Sequence, residues 1–186
     1  TDTVQKYILL YIGGALIAGA VLVGALHIVP KKNIPADTRA QDSAYWEARI
    51  ASVGGAAAYE EFAGTMAHQD PSLSHQAAHR FGAALYRAEG LSGISVCDTR
   101  FIYGCFHQFT AEAIATRGLE VLSEVGKLCN YNIQCLHGVG HGALAYLGYD
   151  IASVQKASEA CAQLPAHDLF SGCEGGVFME YDLRSM

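Results

Sequence analysis

An eight-residue frame recurs along this chain and constrains its fold more than any other feature. Aligned on cysteine, Cys105-Phe-His107-Gln-Phe-Thr-Ala-Glu112, Cys135-Leu-His137-Gly-Val-Gly-His141-Gly and Cys173-Glu174-Gly-Gly-Val-Phe-Met-Glu180 fall into one register. Leu73-Ser-His75-Gln-Ala-Ala-His79-Arg80 keeps that register without the cysteine. The anchors Leu73, Cys105, Cys135 and Cys173 are 32, 30 and 38 residues apart, the period of a helix-turn-helix repeat.

Each unit reads as an A helix ending near one cysteine, a short polar loop, and a B helix opening at the next. Leu119 to Cys129 and Ile151 to Leu164 are expected A helices, and Cys135 to Tyr149 and Cys173 to Leu183 expected B helices. Ahead of them, Trp46, Ile50, Val53 and Ala57 recur at helical spacing in a long helix expected over Gln41 to Met66. Tyr45, Trp46, Tyr59, Phe62, Phe81 and Tyr86 are assigned to the core. Nothing alternates with a period of two, so residues 41–186 are expected to form an all-α, solenoid-like αα-hairpin repeat domain. In general plan it resembles disulfide-stapled αα-repeat proteins, and no functional residue is carried over from them.

The six cysteines bracket the A-to-B loops, which predicts local disulfides: Cys97 with Cys105, Cys129 with Cys135, Cys161 with Cys173. Such bridges need an oxidising compartment. Thiolate and imidazole ligation of zinc at Cys105-Phe-His107 and Cys135-Leu-His137 is the alternative in a reducing one.

Histidines four apart share a helix face. His75 with His79, and His137 with His141, can therefore each grip one ion. Stacked B helices would bring His107, Glu112 and either Glu174 or Glu180 to the same place. Such a set suits Zn, Fe, Mn or Cu, or non-covalent haem. Neither pair carries the glutamate of a zincin His-Glu-x-x-His helix. The competing expectation is that these histidines bond loop carbonyls and recur only because the unit recurs. His68 and His167 sit in polar, loop-like stretches and are expected to be solvated.

Composition adds a location. Only 16% of the chain is charged and 51% is hydrophobic; residues 7–29 contain no Asp, Glu, Lys or Arg. At about 1.5 Å per residue they are long enough for a roughly 30 Å hydrocarbon core, and are expected to form a single transmembrane helix, with 30–40 as a linker. Ala15, Gly19, Ala20 and Gly24 would let another membrane helix pack closely. Lys31, Lys32 and Arg39 favour a cytoplasmic domain by the positive-inside rule; the cysteines favour the periplasmic or extracellular side, which is adopted. A net charge of -6 without a basic stripe excludes a nucleic-acid partner.

Three functions follow as expectations: an accessory or docking subunit beside other integral membrane subunits, a metal- or haem-binding protein, and a metal-dependent enzyme using Glu112 or Glu180 as base. No phosphate loop or nucleophile elbow is present.

Overall fold

The computed structural model describes residues 36–164 and 171–185. The chain divides into two units, 1–34 and 35–186, and the first lies outside the described residues. Among the described residues the second is all-α, with no strand. Its helices are α1 (Ala36–Ala40), α2 (Ser43–Val53), α3 (Gly55–Met66), α4 (Pro71–Glu89), α5 (Gly104–Arg117), α6 (Leu122–Leu128), α7 (Ile133–Leu147), α8 (Ile151–Cys161) and α9 (Cys173–Ser185). 3₁₀ turns occupy Gly90–Val96 and Leu119–Val121.

Local chemistry sets the boundaries. The side chains of Asp42, Asp70, Asn132 and Asp150 accept from backbone N–H groups in the first turns of α2, α4, α7 and α8, satisfying donors that a helix leaves open. Pro71 follows Asp70 at the first position of α4, where its missing N–H costs nothing. The single helix expected over 41–66 is two. Gly54 sits at φ 83°, a conformation glycine adopts without a side-chain penalty, and its N–H closes α2 on the carbonyl of Ile50.

Helices α4, α5, α7 and α9 are the B helices, and each packs on the next. Shaved helix surfaces allow this. A methyl group on Gly82 would lie 2.2 Å from the carbonyl oxygen of Cys105, on Gly140 1.9 Å from that of Cys173, and on Gly176 2.0 Å from that of His137. Backbone therefore rests on backbone at the α4–α5 crossing and from both sides of the α7–α9 crossing. Helices α2 and α3 pack on α4 through an aromatic cluster: Trp46 lies edge-on to Phe62 and Phe81 at 5.4 and 5.3 Å, and Trp46, Tyr59, Phe62 and Phe81 are all buried. Of the other expected core aromatics, Tyr86 is also buried and Tyr45 packs against the cluster from a partly buried position.

The three expected bridges are present: Cys97–Cys105, Cys129–Cys135 and Cys161–Cys173, with Cα separations of 5.5, 5.9 and 5.5 Å. Two of the loops they close are wound left-handed, and all but one of the residues there, Asn130, are of types that ordinarily avoid that region. Phe101, Ile102 and Tyr103 have φ between 52 and 60°, and Asn130 and Tyr131 have φ of 49 and 50°. Phe101, Ile102, Tyr103 and Tyr131 each cost on the order of 1–2 kcal/mol there, so the staples hold turns that the sequence would not choose. Removing the Cys129–Cys135 bridge as a Ser pair is expected to lower stability by about 2–3 kcal/mol. Guanidinium unfolding of the two proteins measures the difference, and unchanged midpoints would contradict it.

The membrane assignments require correction. Residues 7–29, with Ala15, Gly19, Ala20 and Gly24, lie outside the described residues, as do Lys31, Lys32 and His167. Among the described residues no helix is long and apolar enough to cross a membrane. The longest, α4, carries Arg80, Arg87 and Glu89, while the apolar α7 has 15 residues, about 22 Å of helix against a roughly 30 Å core. The single-pass architecture and the membrane localisation are thus not borne out, since no described helix can carry the span. Part of the expected linker is also ordered differently, since α1 ends on the buried Ala40, whose carbonyl accepts from the Trp46 indole at 3.2 Å.

Candidate metal centre

The frame that recurs in the sequence becomes a contiguous set of rings in space. His75 and His79 project from α4, His107 from α5, and His137 and His141 from α7. His107 is the middle one: its ring centroid lies 5.4 and 5.3 Å from His75 and His79, and 5.5 and 4.7 Å from His137 and His141. The ring nitrogens fall into two groups, His75–His79–His107 and His107–His137–His141, each with one nitrogen per residue within 4.8 Å of the others.

Within each pair the nitrogens converge. His75 and His79 face each other through Nε2 at 3.0 Å, and His137 and His141 do so at 3.2 Å. Two nitrogens bound to one ion at about 2.0–2.1 Å, and subtending roughly 90–105°, lie about 2.8–3.3 Å apart. Both pairs meet that condition.

The opposite edges of the rings are tied to acceptors. His75 Nδ1 donates to the carbonyl of Phe101 at 2.7 Å, and the left-handed turn at Phe101–Tyr103 aims that carbonyl. His141 Nδ1 donates to Glu180 at 2.9 Å, and Tyr149 donates to the other Glu180 oxygen at 3.0 Å. A carbonyl and a carboxylate can only accept. The Nε2 atoms of His75 and His141 therefore carry lone pairs, each aimed at its partner's Nε2. This is the carboxylate- or carbonyl-backed imidazole found behind metal ions. On His137, backbone hydrogen bonds at Gly172 and Ser171 favour the charged ring, although burial and the neighbouring His141 outweigh them.

Electrostatics favour the neutral form of His79, His107 and His137. Burial, reinforced by the surrounding imidazoles, pushes His107 down to about 2; burial and the His75 ring push His79 down to about 4. The charged form is the one that low dielectric penalises, so these two rings remain available as lone-pair donors well below neutrality. Glu180 is partly desolvated, yet its hydrogen bonds from His141 and Tyr149 hold it below the usual carboxylate range. One atom stands out: His107 Nε2 is buried with no hydrogen-bond partner. An unsatisfied buried donor or acceptor costs about 1–3 kcal/mol and calls for a reason such as an ion.

Of the expected ligands, the structure brings His75, His79, His107, His137 and His141 together. It does not bring Glu112 to them, because that carboxylate is bound by Arg87 at 3.1 Å on the exposed side of α5. Glu180, which shares Glu112's position in the frame, stands behind His141 instead. Phe101 escaped the sequence reading because its contribution is a carbonyl in a left-handed turn that no glycine announces. Neither pair can act as the axial ligands of a haem, which would hold nitrogens on opposite faces roughly 4 Å apart. The six cysteines are all in disulfides and supply no thiolate. Buried histidine triads that can hold a metal ion are thus a property of the fold.

A cavity of about 330 Å³ opens onto His79, His107 and His141, with Glu180 and Arg184 in its wall. A second, of about 270 Å³, meets His107 and His137 from a side lined by Ile102, Tyr103 and Met179. No family model, curated protein or solved structure matches the chain.

Proposed function

We propose that this protein binds a late first-row transition-metal ion through the histidines of its B helices, and that metal binding rather than bond-making chemistry is its function. The observation that carries this reading is the convergence of Nε2 atoms at 3.0 and 3.2 Å while Nδ1 of His75 and of His141 is committed to an acceptor. All-imidazole donor sets suit Zn²⁺ or Cu²⁺ better than Mn²⁺, which favours carboxylate and water. Three histidines leave a coordination position to solvent or to an incoming ligand, which fits an ion that is taken up and passed on. The enzyme reading is the weaker one, since Glu112 is neutralised by Arg87 and Glu180 is held in place by His141, Tyr149 and Arg184.

Equilibrium dialysis against Zn²⁺ and, separately, Cu²⁺ tests the proposal, with metal counted per chain. The wild type is expected to retain metal, and His75→Ala/His79→Ala/His137→Ala/His141→Ala to retain none. At a free ion concentration about a thousandfold above Kd the bound form gains about 4 kcal/mol, visible as a rise in Tm that the fourfold variant lacks. Equal metal content in both proteins would overturn the reading.

A second reading, a docking subunit, is favoured by exposed apolar side chains at Ile102, Met179 and Leu183, which are 61, 48 and 59% exposed. Exposed apolar surface of this kind marks contact sites. Substituting all three by Ser is expected to abolish any self-association or co-purifying partner seen on gel filtration, and unchanged elution would count against the reading.

A further inference from the structure

The cluster holds five imidazoles, yet its nitrogens fall into two groups of three with one member in common. That arrangement distinguishes a count. One ion would use one group and leave the other pair joined only by its Nε2···Nε2 hydrogen bond. Two ions would use every ring, provided that His107 serves both.

A single imidazole reaches two ions only by presenting Nδ1 to one and Nε2 to the other. His107 is suited to this in ways its neighbours are not. His75 and His141 have their Nδ1 atoms occupied by Phe101 and Glu180, which restricts each to one metal-facing nitrogen. Among the described residues no carbonyl or carboxylate backs His107, whose Nε2 is buried and without a partner. Its ring lies between the two pairs, with centroids 4.7 to 5.5 Å from all four other rings. Cavities reach it from two directions, one shared with His79 and His141 and the other with His137.

We infer that the protein holds two metal ions at once, one on His75 and His79 and one on His137 and His141, bridged by the imidazolate of His107. The inference rests on the metal-binding reading above. The balance is simple: the first ion takes the lone pair of one His107 nitrogen, the second takes the electron pair of the other, and the displaced N–H proton passes to solvent. No electron is transferred. With metal–nitrogen bonds of about 2.0–2.1 Å on either side of one ring, the ions stand roughly 6 Å apart.

Native mass spectrometry with Zn²⁺ alone and electron paramagnetic resonance with Cu²⁺ alone test it on the full chain with its disulfides intact. Two Zn²⁺ per wild-type chain are expected, and one in each of His75→Ala/His79→Ala and His137→Ala/His141→Ala. In the wild type loaded with two Cu²⁺, coupling through the imidazolate is expected to remove most of the low-temperature signal, whereas the double variants show the full signal of their single ion. His107→Ala is expected to uncouple the ions, so that whatever Cu²⁺ it binds is fully visible. Should that variant fail to fold, the two double variants still decide the stoichiometry. Saturation of the wild type at one ion, or a full two-spin signal at two, would overturn the bridge while leaving metal binding intact. Failure to bind either ion at all would overturn the metal-binding reading itself.

Discussion

Gly140→Ala is expected to destabilise the protein by about 1–2 kcal/mol net, although alanine is the better helix former. In an isolated helix the exchange would gain about 1 kcal/mol. Here the added methyl would meet the carbonyl oxygen of Cys173 at 1.9 Å and the amide nitrogen of Val177 at 2.7 Å. Both are backbone atoms of α9 and cannot rotate aside, so α7 and α9 must move apart, and overpacking of this kind costs about 1–3 kcal/mol or more. The separation would also draw Glu180, on α9, away from His141, on α7, so metal affinity should fall together with stability. Gly64→Ala is the control: it is helical, with nothing within 4 Å of the added atom, and should stabilise by up to about 1 kcal/mol. Guanidinium unfolding of the three proteins measures all of this. A Gly140→Ala protein as stable as the control would show that the helices do not meet through that glycine.

Acid is expected to unfold the metal-free protein well above the range in which ordinary carboxylates protonate. An unfolded histidine takes up its proton near pH 6.5, whereas the folded chain holds His79 at about 4 and His107 at about 2. Folded values that are depressed mean that the unfolded state binds more protons throughout that window. Stability is then full above pH 6.5 and falls as the pH drops towards 4. With about 1.4 kcal/mol per pH unit for each of these two buried rings, the loss between pH 6.5 and 4.5 is roughly 4–5 kcal/mol. That is a large share of the about 5–15 kcal/mol that a domain of this size usually has. Glu180, whose own value is lowered, adds a loss in the same direction at lower pH. Thermal unfolding of chelator-treated protein from pH 7.5 to 4.5, followed by circular dichroism, provides the measurement. A Tm that stays flat across that interval would mean that His79 and His107 are not buried as neutral rings.

Much of this was legible in the sequence because a repeated unit repeats its chemistry. The spacing of Cys105, Cys135 and Cys173 located the starts of three B helices within a residue or two, and the bracketing cysteines named their own partners. His75, His79, His107, His137 and His141 could be grouped because helix periodicity puts i and i+4 on one face, and register puts equivalent positions side by side. What escaped was whatever depended on which way a helix faces. Glu112 and Glu180 occupy the same position in the frame, yet α5 turns the first outward to Arg87 while α9 turns the second inward to His141. The left-handed turn at Phe101–Tyr103 could not be read either, since the residues there are ones for which that conformation is unfavourable. Gly54 was hidden for a different reason: apolar spacing continues on both sides of it, so periodicity alone joins α2 to α3. The apolar run at 7–29 carried a membrane interpretation that no described helix supports.

The central claim is that paired imidazoles on α4 and α7, together with His107, form a metal centre. Its most direct test is the electron paramagnetic resonance spectrum of the protein with one equivalent of Cu²⁺, read for coupling to ligand nitrogen. Superhyperfine structure from three imidazole nitrogens is predicted, lost in His75→Ala/His79→Ala/His137→Ala/His141→Ala. A spectrum like that of aqueous Cu²⁺, or one that the fourfold variant reproduces, would contradict the account.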